Sequence, residues 1–127
     1  MIVDTDILIW HLRGYPKAGA FVEKCVSPAI SAVTRMELFV GCRSAQEKKL
    51  LHGYLQALSF TTLSIDTAIS HRACLLIEAY RPAFELNVPD AIIAATAIEH
   101  GLTLATGNYR HFKMIKGLDV HRFAIHE

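Results

Sequence analysis

Apolar residues along the chain form short continuous runs, separated by longer stretches in which apolar residues recur with helical spacing. Short apolar runs are typical of buried strands. Four such runs predict strands, and a run near the C-terminus predicts a fifth. They are MIVDT at 1–5, the beginning of PAISAV at 28–33, FTTLSI at 60–65, LTLAT at 102–106 and VHRFAI at 120–125.

The stretches between these runs combine helical spacing with residues that begin and end helices. The predicted helices are DILIWHLRG at 6–14, TRMELFVG at 34–41 with a start near Ser31, SAQEKKLLHGYLQAL at 44–58, TAISHRACLLIEAY at 67–80 and NVPDAIIAATAIEHG at 87–101. The expected N-caps are Asp6, Ser31, Ser44 and Asp66, and the expected stops are Gly14, Gly41, Pro82 and Gly101.

Strands that alternate with helices are typical of a parallel sheet covered by helices on both faces. No repeat, low-complexity tract or linker-like stretch interrupts the pattern. The 127 residues, of which 52% are hydrophobic, are enough for one sizeable core. The sequence therefore predicts a single α/β domain over 1–127, with a parallel sheet of four to five strands.

Charge and cysteine content exclude several classes of protein. Thirteen Lys and Arg face 12 Asp and Glu, so no strong overall field draws the chain to nucleic acid or membrane. The three cysteines lack CxxC spacing, which argues against a disulfide framework and a zinc knuckle.

The apolar N-terminus is interrupted by Asp4 and Asp6, so it does not predict a signal peptide. No apolar run reaches membrane-spanning length, and a cytoplasmic protein is expected.

Acidic and amide side chains fall where the predicted strands end. Asp4 ends the first strand, Glu37 lies in the helix after the second, and Asp90 opens the helix that leads to the fourth. Thr106, Gly107 and Asn108 leave the fourth strand. Because the carboxyl ends of parallel strands converge on a crevice, these segments are expected to bring their oxygens together.

Each of these acids also has a structural explanation. Asp90 fits an N-cap, but the apolar helix behind it indicates that its charge is partly buried and needs a partner. Glu37 completes a capping box with Thr34, unless Ser31 is the true cap and Glu37 falls in the second turn beside the core. Asp6 is the more obvious cap of the first helix, which leaves Asp4 without such a role.

Three carboxylates in one crevice repel one another and raise each other's pKa unless a cation neutralises them. Mg²⁺ or Mn²⁺ suits oxygen ligands and retains several waters. Such an ion supplies a nucleophilic water and stabilises charge on a phosphodiester. We therefore interpret Asp4, Glu37 and Asp90 as metal ligands.

The motifs that carry these residues closely resemble those of the PIN-domain ribonucleases, in particular the VapC-type toxins of toxin–antitoxin pairs. IVDTDILI carries Asp4, ISAVTRMELFVG carries Glu37, and PDAIIAATAIEHGLTLATGNYRHF carries Asp90 and Asn108. The resemblance covers nearly the whole chain, in the family's order. Many members have an acid where this chain has Asn108, which favours one tightly held cation over two because an amide adds no charge.

The resemblance implies an enzyme that cleaves RNA endonucleolytically with Mg²⁺ or Mn²⁺. Asp4, Glu37, Asp90 and Asn108 are the implied catalytic residues, and the three acids are the implied metal ligands. A metal-activated water is expected to leave a 5′-phosphate and a 3′-hydroxyl. The implied partners are an RNA substrate, a cognate antitoxin whose tail enters the active-site groove, and a second copy of the chain, with no membrane.

The basic residues after Asn108 are candidates for contacts with RNA phosphates at the rim, although a solvated charged surface explains each of them equally well. They are Arg110, Lys113 and Lys116.

Two other functions fit part of the sequence. A phosphatase of the haloacid-dehalogenase class would use Asp4 and Asp6 as nucleophile and acid, but Leu8 stands where its motif has Thr. A receiver-type phosphorylation switch would need a phosphoacceptor at the end of the third strand. Asp66 is near that place but is better explained as a helix cap.

Overall fold

The computed structural model describes residues 1–125 and forms one α/β domain. Five parallel strands form a single sheet in the order β3-β2-β1-β4-β5. The strands are β1 (Ile2–Val3), β2 (Ala29–Ser31), β3 (Thr61–Leu63), β4 (Leu104–Thr106) and β5 (Val120–Arg122). The helices are α1 (Thr5–Leu12), α2 (Pro16–Lys24), α3 (Ala32–Val40), α4 (Ala45–Ala57), α5 (Thr67–Tyr80) and α6 (Val88–His100).

Helices cover both faces of the sheet, as the sequence predicts. Successive side chains of a strand point to opposite faces. Ile2 and Leu104 pack into the core formed with α5 and α6, whereas Val3 and Ala105 pack into the core formed with α1 and α2. Each central strand therefore contributes to two hydrophobic cores, which explains why these strands are apolar at consecutive positions.

Most predicted helix boundaries are confirmed. The side chains of Ser31, Ser44 and Asp66 cap α3, α4 and α5. Gly101 ends α6 in the left-handed conformation, at φ 63°, where a residue without Cβ is favoured.

The predicted N-cap of the first helix is wrong. Strand β1 has only two residues, so α1 begins at Thr5 and its N-cap is Asp4, not Asp6. The side chain of Asp4 accepts a hydrogen bond from the N–H of Thr5. Asp6 thus lies inside the first turn and is free for another role.

The structure also differs from the predictions in length and number of elements. The strands predicted at 1–5, 60–65 and 120–125 are each two or three residues long. Helix α2 has no counterpart in the prediction, although Ala18 and Val22 recur at helical spacing and are buried.

The strand order reverses direction between β1 and β4. Chain connections from β1 lead to β2 on one side, while β4 lies on the other side of β1. In open α/β sheets, ligands bind outside the carboxyl ends of the strands at such a switch point. This edge of the sheet is therefore the first place to look for a site. Within residues 1–125, no helix is long and apolar enough to cross a membrane.

Candidate active site

Asp4 lies at the carboxyl end of β1, at the switch point, and is only 4% exposed. Its backbone N–H donates to the carbonyl of Ala105 in β4. The Thr106 hydroxyl donates to Asp4 Oδ2 over 2.6 Å, and the N–H of Thr5 donates to Oδ1 over 2.7 Å. These contacts hold the carboxylate in one orientation at the junction of β1, β4 and α1.

Glu37 is positioned by helix α3 and by a threonine pair. Because Ser31 is the cap, the predicted capping box with Thr34 does not form, and Glu37 falls in the second turn of α3. The Thr5 hydroxyl lies 2.8 Å from Glu37 Oε1 and 2.9 Å from the Thr34 hydroxyl. A carboxylate only accepts, so Thr5 donates its single proton to Glu37 and accepts from Thr34. The residue beside Asp4 thereby orients Glu37.

Asp90 is the third residue of α6 and is not its cap. The N-cap is Asn87, whose side chain accepts a hydrogen bond from the N–H of Asp90 over 2.9 Å. The Asp90 carboxylate is consequently not used for capping and is largely buried. His111 lies beside it, with Nδ1 3.4 Å from Asp90 Oδ2, and the other ring nitrogen lies 3.3 Å from Glu85 Oε2.

Asp6 is the residue that the sequence interpretation missed. Its Oδ2 accepts the N–H of Gly107, which ties the start of α1 to the loop after β4. Its Oδ1 is buried and has no hydrogen-bond partner among the described residues. Gly107 is required at this contact, because a Cβ there would lie 2.4 Å from the Trp10 ring and 2.9 Å from Asp6 Oδ2.

Asn108 lies at the rim of the same edge and is exposed. Its N–H donates to the Thr106 hydroxyl, which in turn donates to Asp4. The structure thus connects Asn108 to Asp4 through one buried threonine. The acidic residues of this edge are called the acidic cluster below. Its members are Asp4, Asp6, Glu37 and Asp90.

The carboxylates of the acidic cluster act on one another electrostatically. Burial, followed by the charge of Asp4, raises the pKa of Asp6 to about 7. Burial and then the charge of Asp4 also raise the pKa of Asp90 to about 6, although His111 acts in the opposite direction. Burial raises the pKa of Asp4 too, against the lowering by its two hydrogen bonds, and Glu37 adds to the increase.

The donor set of the cluster fits a hard divalent cation. Carboxylate oxygens that repel one another, one of them buried without a partner, are stabilised by a positive ion. Within residues 1–125, no three His, Cys, Asp or Glu side chains stand close enough together to hold a metal ion by themselves. A cation bound here would complete its coordination with waters, several of which Mg²⁺ usually retains.

Asp6 and His111 entered the site through contacts that the sequence pattern does not encode. The Asp-x-Asp spacing of Asp4 and Asp6 across the strand-to-helix junction is the one signal that could have indicated Asp6. His111 approaches Asp90 only because the short 3₁₀ turn Tyr109–His111 folds back after Asn108.

The chain is similar to known proteins over most of its length. The PIN domain family model matches residues 1–118. Ribonuclease VapC10 of Mycobacterium tuberculosis is 34% identical over 93% of this chain and 90% of its own length. Ribonuclease VapC1 of Rickettsia felis is 32% identical over 94% of this chain and 93% of its own length.

The fold is likewise similar to that of solved structures. A chain of a toxin–antitoxin complex from Klebsiella pneumoniae superposes with a TM-score of 0.81 and is 33% identical. The superposition covers 99% of this chain and 98% of that one.

Proposed function

The chain belongs to the PIN domain family, and on that premise we propose that it is a toxin endoribonuclease that hydrolyses RNA phosphodiesters with a divalent cation. The observation that carries the proposal is the acidic cluster, in which three separate segments of the chain bring four interacting carboxylates to the switch point of the sheet.

The ligands of the cation are Asp4, Glu37 and Asp90, with Asp6 as a further oxygen donor. Thr106 and Thr5 fix the orientations of Asp4 and Glu37. Asn108 accepts or donates a hydrogen bond at the rim without adding charge. Asn87 keeps the Asp90 carboxylate available by capping α6 in its place.

Mg²⁺ is the proposed cation, with Mn²⁺ as its substitute, because the ligands are all oxygens. When bound, it activates a water and stabilises the charge that develops on the phosphodiester. The protein's own contribution is to hold its carboxylates on rigid helix starts and a strand end. No His or Ser nucleophile is part of the proposal.

The proposed partner is a small antitoxin, as in the complex from Klebsiella pneumoniae. A groove of about 460 Å³ begins at Glu37 and runs between α1, α3 and α4. Its lining includes Leu12 and Leu50, which are large apolar side chains that are exposed in the chain alone. An antitoxin segment in this groove would cover apolar surface and block access to Glu37. Co-purification of the toxin with its antitoxin, lost in Leu50→Glu, tests this role.

A homodimer is also proposed. Val88 is exposed and lines an apolar hollow of about 380 Å³ between α5 and α6. Light scattering should give twice the chain mass of 14.1 kDa, and Val88→Glu should reduce it to one chain. We place the enzyme in the cytoplasm, where its three free cysteines stay reduced.

RNA cleavage by Glu37→Gln tests the proposed function. The substitution removes one charge from the acidic cluster, while Ser31 still caps α3. We expect a loss of activity of about a hundredfold or more in Mg²⁺, with a melting temperature close to that of the wild type. Glu99→Gln, at the exposed C-terminal end of α6, is the matched control and should cleave normally. Normal cleavage by Glu37→Gln, or none by the wild type, would contradict the proposal.

The two alternatives fit the structure less well. Asp66 accepts a hydrogen bond from the N–H of Ile69 as the cap of α5 and follows β3, an edge strand. At this edge Asp66 lies away from the switch point, where ligands of open α/β sheets bind. For the phosphatase alternative, Asp4 is held by Thr106 and the Thr5 N–H, and one oxygen of Asp6 is occupied by Gly107.

A further inference from the structure

Arg122 stands at the same edge of the sheet as the acidic cluster. It ends β5 and pairs in register with Thr106 of β4, whose hydroxyl holds Asp4. Adjacent strands are about 4.8 Å apart, so Arg122 and Asp4 start from backbone positions about 10 Å from each other. An exposed guanidinium therefore lies two strands away from the proposed reaction centre.

The Arg122 guanidinium lies over an aromatic ring. Its Cζ is 5.5 Å from the ring centroid of Tyr109, which directly follows Asn108 and is 36% exposed. This cation–π contact restricts the long Arg122 side chain and connects it to the rim of the acidic cluster.

On its other side, Arg122 borders a groove of about 360 Å³ between α2 and β5. The groove is lined by the aromatic side chains of Phe21 and His121 and by the cation of Lys24. His121 stacks on Phe21 with ring centroids 5.5 Å apart and an interplanar angle of 18°. Cationic and aromatic groups thus alternate along this surface.

The acids nearest in sequence to the groove do not line it. Asp119 precedes β5, at the opposite end of the strand from Arg122. Glu23 lines a separate hollow together with His11. The groove therefore keeps a positive character although the chain as a whole is nearly neutral.

We propose that Tyr109, Arg122 and the groove formed with Phe21, Lys24 and His121 bind a single-stranded RNA segment next to the scissile phosphodiester. Cations in such a groove contact phosphates, and exposed rings offer faces for base stacking, which every base can use. A purely acidic peptide would use the cations but gain little from the aromatic faces. The inference rests on the proposed RNA substrate and adds the surface that holds it.

Fluorescence anisotropy with a labelled single-stranded RNA of about twelve nucleotides tests this surface. The Asp90→Asn variant in Mg²⁺ serves as the background, so that the RNA is not cut. In that background, Arg122→Gln should weaken RNA binding about three- to tenfold. It should also reduce the slope of the logarithm of the binding constant against the logarithm of the salt concentration by about 0.7, the value for one phosphate contact. The RNA affinity of Arg122→Lys should lie between that of the background variant and that of Arg122→Gln, because lysine keeps the charge but not the planar contact with Tyr109.

Lys48→Gln is the control for charge. It removes one exposed cation from α4, the helix that leads to the opposite edge strand β3, and should bind RNA like the background variant. Equal binding by the Arg122→Gln and Lys48→Gln variants would overturn the inference. Tighter binding of an RNA duplex than of a single strand of the same length would also overturn it. The same holds if the Arg122→Gln variant keeps RNA binding but loses binding of poly-glutamate.

Cleavage kinetics separate this inference from the proposed function. With the acidic cluster intact, Arg122→Gln should raise KM about three- to tenfold and leave kcat near the wild-type value, because only substrate binding is affected. A wild-type protein that cleaves no RNA would refute the proposed function itself. If the wild type cleaves RNA normally and the KM of Arg122→Gln is unchanged, only the proposed RNA-binding role of the groove is refuted.

Discussion

Asp66 and Asp90 stand at the starts of two long helices that pack against each other, α5 and α6, yet they have different roles. The Asp66 side chain caps its helix by accepting the N–H of Ile69. Asp90 lies inside its helix, and Asn87 performs the capping. A carboxylate becomes available for chemistry when a neighbour satisfies the free N–H groups of the helix.

The first helix shows an intermediate case. Asp4 caps α1 with one oxygen and accepts the Thr106 hydroxyl on the other, so it is both a helix cap and a member of the acidic cluster. Asp6, in the first turn, keeps one buried oxygen without a partner. Asp66 and Asp4 each use one oxygen for capping, so what sets Asp4 apart is its position at the switch point beside the other acids of the cluster.

The largest difference is expected between Asp90→Asn and Asp66→Asn. Asp90→Asn removes a charge from the acidic cluster and should lower RNA cleavage at least about a hundredfold in Mg²⁺. Its melting temperature should stay close to the wild-type value, because Asn87 still caps α6. Asp66→Asn should cleave normally. Cleavage assays and thermal melts on both proteins check this, and full activity in Asp90→Asn would refute the ligand role.

Gly107→Ala should have the next largest effect. The added Cβ would lie 2.5 Å or less from two atoms of the Trp10 ring, so the loop after β4 or the ring must move. We expect a loss of about 1–3 kcal/mol in the free energy of unfolding. Cleavage should also fall, because Asp6 and Asn108 are displaced together.

Urea denaturation measures the Gly107→Ala effect, and Gly53→Ala is its matched control. A Cβ at Gly53 meets nothing within 4 Å, and the residue lies inside α4. Alanine there should stabilise the protein by about 0.5–1 kcal/mol. Equal stability of the two variants would show that the contact among Gly107, Trp10 and Asp6 is not tight.

Asp66→Ala should cost about 1 kcal/mol, the usual cost of losing an N-cap. Cleavage per folded molecule should be unchanged, since Asp66 lies outside the acidic cluster. Chemical denaturation and an activity assay well below the melting temperature measure the two quantities. A loss of cleavage larger than the loss of folded protein would place Asp66 in the active site.

The smallest effect is expected in the pH dependence of the metal-free protein. The pKa values of Asp6 and Asp90 rise from the ordinary 3.8 to about 7 and about 6. Between the ordinary pKa of 3.8 and the raised values, the folded state still holds protons that the unfolded state has released. The free energy of unfolding therefore falls as pH rises from about 4 to about 7. Water at the rim screens part of the repulsion.

Thermal melts in EDTA at about pH 5 and about pH 8 measure this pH dependence. The melting temperature should be lower at the higher pH, and added Mg²⁺ should recover the difference. In Asp6→Asn the difference should shrink, because asparagine still accepts the Gly107 N–H but carries no charge. A higher melting temperature at about pH 8 in EDTA would contradict the raised pKa values of Asp6 and Asp90.

Hydrophobic periodicity predicted the fold except for α2, because the strands and the other five helices each have their own pattern in the sequence. It also predicted that Asp4, Glu37 and Asp90 lie near one edge, since parallel strands end together. It did not predict Asp6, because Asp4 and Asp6 have the same capping preference and only the two-residue length of β1 decides between them. The contacts of His111 with Glu85 and Asp90 join residues more than 20 positions apart in the sequence, and no local pattern encodes them.

Calorimetric titration of Mg²⁺ into the metal-free wild type, Asp4→Asn and Asp90→Asn tests most directly whether carboxylates from separate segments share one cation. We expect saturable binding by the wild type near neutral pH and affinities lower by at least about tenfold in each variant. Wild-type affinity in both variants would contradict a shared cation site.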